Sequence, residues 1–169
     1  MRIEVFKQRV LPIKDQLFRF SLGIVRNAAL AEDVVQEVFI KLWSKRQELS
    51  ELNNLEAWCM KMTKNLSIDK LRSKHQKVGF FNEGFDIADR MANPHQLTEE
   101  KDTISQIQLI MQRLPEKQRM TMQLRDIEGM TYEEITKILD ITLNQVKVNL
   151  FRARKFIRQE LLNNQTYGL

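Results

Sequence analysis

Residues able to perform covalent or metal chemistry are few in this sequence. It contains one cysteine, Cys59, and two histidines, His75 and His95, with no HExxH pattern and no glycine-rich phosphate loop. The adjacent glutamate pairs at 99–100 and 133–134 would point in different directions on a helix, so neither pair can share one substrate. We therefore predict no catalytic residue, no metal, no cofactor and no intrachain disulfide, and we interpret the chain as not being an enzyme.

A different chemistry is indicated near the C-terminus, where one helix has two distinct faces. At about 100° per residue, one stripe of that helix is apolar. It consists of Val146, Leu150, Ala153 and Ile157. The opposite side and its flanks carry Asn144, Lys147, Val148, Phe151, Arg152 and Lys155. No acidic residue occurs between Asp140 and Glu160, and an exposed ring beside amide and guanidinium groups suits contact with DNA base edges. The alternative is a helix whose second face packs against another domain.

The distribution of charge supports a polyanionic partner without establishing one. The net charge is +5 over 169 residues, made up of +5 in residues 1–75, −3 in 76–103 and +3 in 104–169. Two basic segments indicate contact at two places, although solvated helix faces would give the same pattern. No apolar run approaches the length of about 18 residues that predicts a membrane span, and the charged N-terminus lacks a signal-peptide pattern. We expect a cytoplasmic protein without membrane insertion.

The apolar periodicity is helical almost throughout and predicts an all-α fold. Two small helical domains, residues 1–75 and 104–169, are expected to flank a flexible linker at 76–103. The expected inner residues of the N-terminal domain are Ile13, Leu17, Phe20 and Ile24 after Pro12, then Val35, Val38, Phe39 and Leu42, then Trp58, Met62, Leu66 and Leu71. Asn53 and Glu56 have the spacing of a capping box for the third of these helices, over about 55–74.

The C-terminal domain has the capping and turn residues that are typical of a helix-turn-helix. Its first helices are expected to bury Ile104, Ile107, Met111, Leu114, Met120, Leu124 and Ile127, and to end at Gly129. Thr131 with Glu134 and Thr142 with Gln145 have capping-box spacing on either side of a tight turn. In the linker, Phe80, Phe81 and Phe85 are unusual for a spacer; they either pack on a neighbouring domain or dock elsewhere.

The chain resembles the bacterial RNA polymerase sigma factors of the extracytoplasmic-function (ECF) type. Residues 114–161, LPEKQRMTMQLRDIEGMTYEEITKILDITLNQVKVNLFRARKFIRQEL, look like region 4, the domain that binds the promoter −35 element. Residues 29–43, ALAEDVVQEVFIKLW, and 57–74, AWCMKMTKNLSIDKLRSK, resemble region 2. Asp140 departs from the family, which usually has Gly in that turn; we expect Asp to adopt the left-handed conformation there. Thr136 stands where the family usually has Ala.

The resemblance implies a site for each partner. The −35 contacts would be Asn144, Lys147, Val148, Phe151, Arg152 and Lys155 on the second helix, with Arg119 and Thr131 beside it. The −10 contacts would be Asn53, Asn54, Trp58, Lys61, Lys64, Asn65, Lys70 and Arg72, with Trp58 fitting the core better than a base-stacking platform. The contacts with the clamp helices of the largest subunit of core polymerase would be Asp33, Gln36, Glu37 and Ile40. Without the resemblance, that last set is a solvated acidic face.

The expected function is therefore a sigma subunit that directs core RNA polymerase to promoters and initiates transcription. Its partners would be core polymerase, promoter DNA and an inhibitory anti-sigma factor. The alternatives are an autonomous helix-turn-helix regulator that dimerises on a palindromic operator, and a helical adaptor that binds polymerase without contacting DNA.

Overall fold

The structure is a computed structural model that describes residues 3–77 and 99–166, and every regular element within those ranges is helical. The helices are α1 (Ile3–Val10), α2 (Lys14–Val25), α3 (Ala28–Ser44), α4 (Leu55–Lys77), α5 (Glu99–Met111), α6 (Glu116–Met122), α7 (Tyr132–Leu139) and α8 (Leu143–Thr166). The all-α prediction is confirmed. Because α4 and α5 extend beyond the expected boundaries, they leave 78–98 between them rather than 76–103.

The N-terminal domain is a bundle of α2, α3 and α4 around an apolar core. The predicted stripe of α2 is buried, with Leu17 and Phe20 fully inside. Asn27 begins α3, since its Oδ1 accepts a hydrogen bond from the Leu30 amide at 2.9 Å and satisfies one of the free N–H groups of the first turn. These local signals orient α3 with Val34 and Val38 inward and its other side toward solvent.

Three details of this domain differ from the predictions. A helix, α1, precedes Pro12, and Pro12 lies in a 3₁₀ turn between α1 and α2 rather than at the first position of α2, where the sequence pattern predicts it. The residue that caps α4 is Asn54 rather than the Asn53–Glu56 pair, because Asn54 Oδ1 accepts from the Ala57 amide at 2.9 Å. The residues buried along α4 are Leu55, Ala57, Cys59, Met60, Thr63, Lys64, Leu66 and Ser67, whereas Trp58, Met62 and Leu71 are only partly covered. The reason is that α4 packs on α2 and α3 and also on α7.

The burial of Cys59 predicts that its thiol reacts slowly in the folded protein. The thiol is fully enclosed, and this desolvation raises the pKa of Cys59 to about 12. Because the thiolate is the reactive form, we expect Cys59 to resist a maleimide at pH 8 in the folded protein and to react fully in denaturant. Mass spectrometry of the labelled protein measures both. Rapid labelling of the folded chain would contradict this packing.

The C-terminal domain forms the predicted helix-turn-helix, and its turn chemistry is as expected. Gly129 has a φ of 75° after a π-helical segment at Gln123–Ile127. Thr131 begins α7 through a complete capping box with Glu134. Asp140 ends α7 in the left-handed conformation, with φ 54° and ψ 47°. Thr142 and Gln145 exchange hydrogen bonds at 2.8 and 3.2 Å and begin α8.

Two apolar residues of this domain were wrongly predicted to be buried. Ile104 is exposed, and the buried residues of α5 are Ile110 and Met111 near its C-terminal end. Ile127 is also exposed, because the π-helical segment adds a residue to the turn and rotates that side chain outward. Met130 is buried just beyond it.

The two domains contact each other, an arrangement that the sequence analysis did not predict. Helix α7 packs along α4, and α6 contacts α2. Arg19 donates two hydrogen bonds to Glu128, at 3.1 and 2.8 Å, and the Glu128 side chain is fully buried. A single apolar core runs through both domains. The linker residues Phe80, Phe81 and Phe85 lie outside the described residues.

Candidate nucleic-acid and polymerase interfaces

The predicted DNA-contacting face of α8 is exposed, and its apolar stripe is buried. Val146, Leu150, Ala153 and Ile157 are enclosed by the rest of the domain. Phe151 is 69% exposed although it is a large aromatic residue. Asn144, Lys147, Arg152 and Lys155 are exposed around it, and Val148 is half-buried. The structure thus brings all six residues to one accessible surface, at the end of the helix that Thr142 caps.

A cationic groove beside this face contains residues that the sequence interpretation missed. The groove lies between α7 and α8 and is lined by Tyr132, Lys147, Leu150, Phe151, Arg154, Lys155 and Arg158. Arg154 already binds Asp126 through two hydrogen bonds of 3.0 and 2.6 Å, which raises the pKa of its guanidinium. Arg158 is exposed and extends the basic surface by one turn beyond Arg154. Its i+4 spacing from Arg154 is the signal that would have identified it.

Arg119 was expected to contact phosphate, but the structure places it elsewhere. Its guanidinium is mostly buried, and it donates to the Leu114 carbonyl at 3.3 Å and the Gln112 carbonyl at 3.5 Å. These bonds satisfy carbonyl groups of the turn that follows α5. Burial lowers the pKa of Arg119, and Arg26 nearby acts in the same direction. In this arrangement Arg119 joins helices, and a contact between Arg119 and phosphate stays a prediction.

Thr131 is exposed, and its hydrogen bonds cap the N-terminus of α7. Its Oγ1 accepts from the Glu134 amide at 3.2 Å, and its own amide donates to Glu134 Oε2 at 2.7 Å. These bonds contribute to the lowered pKa of Glu134. A contact between Thr131 and DNA stays a prediction.

The predicted −10 residues are not all exposed on one surface in this structure. Asn53, Asn65 and Arg72 are exposed, and Trp58 is half-buried against the core. Asn54, Lys61 and Lys64 instead contact the C-terminal domain: Asn54 Nδ2 donates to Glu134 Oε1 at 2.5 Å, and both lysines bind Asp140. Lys64 is buried.

Lys70 lies on another side of α4. It is nine residues beyond Lys61, about 180° around the helix, and so faces α3. There its Nζ lies 3.4 Å from Glu37 Oε2. Lys70 is thus part of the surface predicted to contact polymerase, because Glu37 belongs to that set.

The predicted polymerase patch (Asp33, Gln36, Glu37 and Ile40) lies on the outward face of α3. Ile40 is 69% exposed, and Asp33 and Gln36 are exposed beside it. Glu37 is partly covered and pairs with Lys41 as well as Lys70. A single exposed isoleucine is common on protein surfaces, so the composition of the patch does not by itself identify it as a contact surface. A contact between the polymerase patch and core polymerase stays a prediction.

Within 3–77 and 99–166, no cluster of three or more His, Cys, Asp or Glu residues has a metal-binding arrangement. In the same ranges, no helix is both long enough and apolar enough to cross a bilayer.

Comparison with known proteins places both domains in one family. Residues 10–77 match the Sigma-70 region 2 model, and residues 104–157 match the Sigma-70, region 4 model. The chain belongs to the sigma-70 family of RNA polymerase sigma factors. Several relatives carry the more specific name of ECF sigma factor.

Among these relatives is the ECF RNA polymerase sigma factor SigE of Mycolicibacterium smegmatis, 28% identical over 154 residues, covering 90% of this chain and 60% of SigE. The probable RNA polymerase sigma factor RfaY of Xanthomonas campestris is 29% identical, with 94% of this chain and 41% of RfaY covered. This chain thus spans about three-fifths of the first relative and two-fifths of the second. For SigW of Bacillus subtilis the identity is 26%, and the coverage is 88% of this chain and 84% of SigW.

A solved structure shares the fold across both domains. It is the sigma factor RpoE of Bartonella quintana in complex with the anti-sigma factor NepR, with a TM-score of 0.76 and 26% identity. The match covers 95% of this chain and 98% of that one.

Proposed function

We propose that this protein is a promoter-recognition subunit of bacterial RNA polymerase, of the ECF type. The observation that carries the proposal is the pairing, in one chain, of a capped helix exposing Phe151 and Arg152 with a second basic helix, α4. A lone helix-turn-helix regulator needs only the first. Two DNA-contacting helices in separate domains suit a promoter with two elements. One helix would bind the −35 element as duplex DNA, and the other would bind the −10 element where the strands open.

In the proposed mechanism, α8 enters the major groove at the −35 element with its N-terminal half. Arg152 contacts a base edge, while Lys147, Lys155 and Arg158 bind phosphates on either side. The exposed part of the α4 surface, including Asn65 and Arg72, binds backbone near −10, where unstacked bases are captured. Strand opening is driven by this binding, so the protein performs no catalytic step of its own.

The polymerase patch on α3 supplies the remaining function. Its acidic residues complement basic clamp helices of core polymerase, and Ile40 gives the contact an apolar centre. We also propose that an anti-sigma factor binds the chain, as NepR binds the RpoE structure to which this chain is similar.

The test is complex formation with purified core polymerase, measured by gel filtration and followed by run-off transcription from genomic fragments. A sigma subunit co-elutes with core and gives transcripts from defined positions. An autonomous dimeric regulator would elute separately from core as a dimer and bind palindromic DNA, which would contradict the proposal. An adaptor would co-elute but give no transcripts.

A further inference from the structure

An ion-pair cluster joins the two domains at the surface proposed to bind −10 DNA. Lys61 Nζ lies 2.6 Å from Asp140 Oδ1, and Lys64 Nζ lies 3.4 Å from Asp140 Oδ2. We call Lys61, Lys64 and Asp140 the interdomain cluster. Only 9% of the Lys64 side chain is exposed, so its ammonium group has lost most of its water. A buried cation of this kind needs a partner, and Asp140 provides one.

The cluster belongs to a longer seam of contacts between the domains. Beside it, Asn54 donates to Glu134. At the other end, Gln123 Nε2 donates to the Arg19 carbonyl at 2.9 Å. Gly23 leaves room for this side chain, since a Cβ at that position would lie 2.3 Å from Gln123 Oε1 and the Gln123 side chain would have to shift. The seam is therefore a fitted interface, and the domains are held closed by more than one contact.

The partners of Asp140 and Glu134 are also proposed DNA contacts. A carboxylate between two ammonium groups occupies the place that a backbone phosphate would take. With Asp140 paired to both lysines, their positive charge is partly offset, and the buried Lys64 is not accessible to a DNA phosphate. We propose that Asp140 holds the protein in an autoinhibited closed form by occupying the −10 DNA-binding surface of the N-terminal domain. This inference rests on the proposed function for the identity of the ligand, though not for the closure itself.

Asp140 has two roles: it ends α7, and it supplies the negative charge of the interdomain cluster. It ends α7 at φ 54°, in the left-handed conformation that Gly, Asn and Asp adopt with little energetic penalty. Among those three, only Asp adds a negative charge. Either Asp140→Asn or Asp140→Gly would keep the turn and remove the carboxylate, leaving Lys64 buried without that partner in the closed form. In the open form Lys64 is solvated, so the loss of Asp140 shifts the equilibrium toward opening.

The apparent affinity of the protein for DNA depends on the fraction of molecules in the open form. Apparent affinity is the intrinsic affinity reduced by the fraction of the protein that is competent to bind. If about one molecule in ten is open, removing the cluster can tighten binding by at most about tenfold. We expect both Asp140 variants to bind single-stranded DNA about three- to tenfold more tightly than the parent protein.

Closure is measured first, without DNA or polymerase. Spin labels at Asp69→Cys and Lys137→Cys, both exposed positions on the two domains, report the interdomain distance by double electron–electron resonance. Cys59 is buried and stays unlabelled. The parent chain should give one short distance. Asp140→Asn and Asp140→Gly should shift the distribution to longer and broader distances, with an unchanged helical circular dichroism spectrum.

The matched control is Glu133→Gln, which removes one negative charge from an exposed position on the same helix. It should leave the distance unchanged and alter affinity for a labelled single-stranded oligonucleotide by less than about twofold, since it only changes the general field. An unchanged distance in both Asp140 variants would overturn the inference. Opening without tighter DNA binding would overturn the claim that closure covers a DNA site. Failure of the proposed function would appear only in the polymerase assay, because the distance measurement contains no polymerase.

Discussion

Asp33→Lys is expected to weaken binding to core polymerase by tenfold or more. Asp33 lies exposed in the polymerase patch, next to Ile40 and away from the buried stripe of α3. The substitution places like charges opposite each other in the proposed contact, at a cost of several kcal/mol, and about 1.4 kcal/mol corresponds to tenfold. Fluorescence anisotropy of labelled protein titrated with core polymerase gives the affinity.

Asp69→Lys is the control for this experiment, since it reverses one exposed charge on α4 in the same domain. It should bind core polymerase like the parent chain. Both variants should unfold at similar temperatures, because neither side chain is buried. Equal affinity of Asp33→Lys and Asp69→Lys for core would show that the patch on α3 is not the polymerase contact.

Arg152→Ala is expected to relax sequence preference at one or two positions of the −35 element. Arg152 lies exposed beside Phe151, and a guanidinium can grip a guanine through two hydrogen bonds. Loss of one such pair costs roughly 1–3 kcal/mol of discrimination. The measurement is selection from a randomised duplex library by the polymerase complex, followed by sequencing.

Lys155→Ala provides the contrast, because we expect Lys155 to contact phosphate. It should weaken binding to all sequences alike and reduce the salt dependence, with the same base preferences. Core binding should be unaffected in both variants. Base preferences of Arg152→Ala that match the parent chain at every position would mean that the face of α8 has been misassigned.

Much of the helix-turn-helix could be predicted from the sequence because its signals are local. Thr131 and Glu134 lie three residues apart, as do Thr142 and Gln145, so the caps form within a single turn. The left-handed conformation of Asp140 follows from the intrinsic tolerance of Asp, again without help from the rest of the chain. The apolar stripe of α8 follows from helical periodicity alone.

The closed arrangement could not be predicted in this way, because its contacts join residues far apart in sequence. Arg19 and Glu128 are separated by 109 positions, and each looks like an ordinary surface charge when read along its own helix. The same holds for Lys64, which the pattern of α4 places among solvated cations. The burial of Arg119 was not predicted, because it depends on how α5 meets α6. Ile127 was wrongly predicted to be buried, because the spacing of apolar residues does not reveal a π-helical segment.

The most direct test of the proposed function is to map transcription start sites in a purified reaction containing core polymerase, genomic DNA and this protein. We predict starts at a limited set of positions that are absent with core alone and share two upstream elements, near −35 and −10. Asp33→Lys should abolish most of them, and Arg152→Ala should redistribute them among related −35 sequences. A start-site pattern identical to that of core polymerase alone would contradict the account.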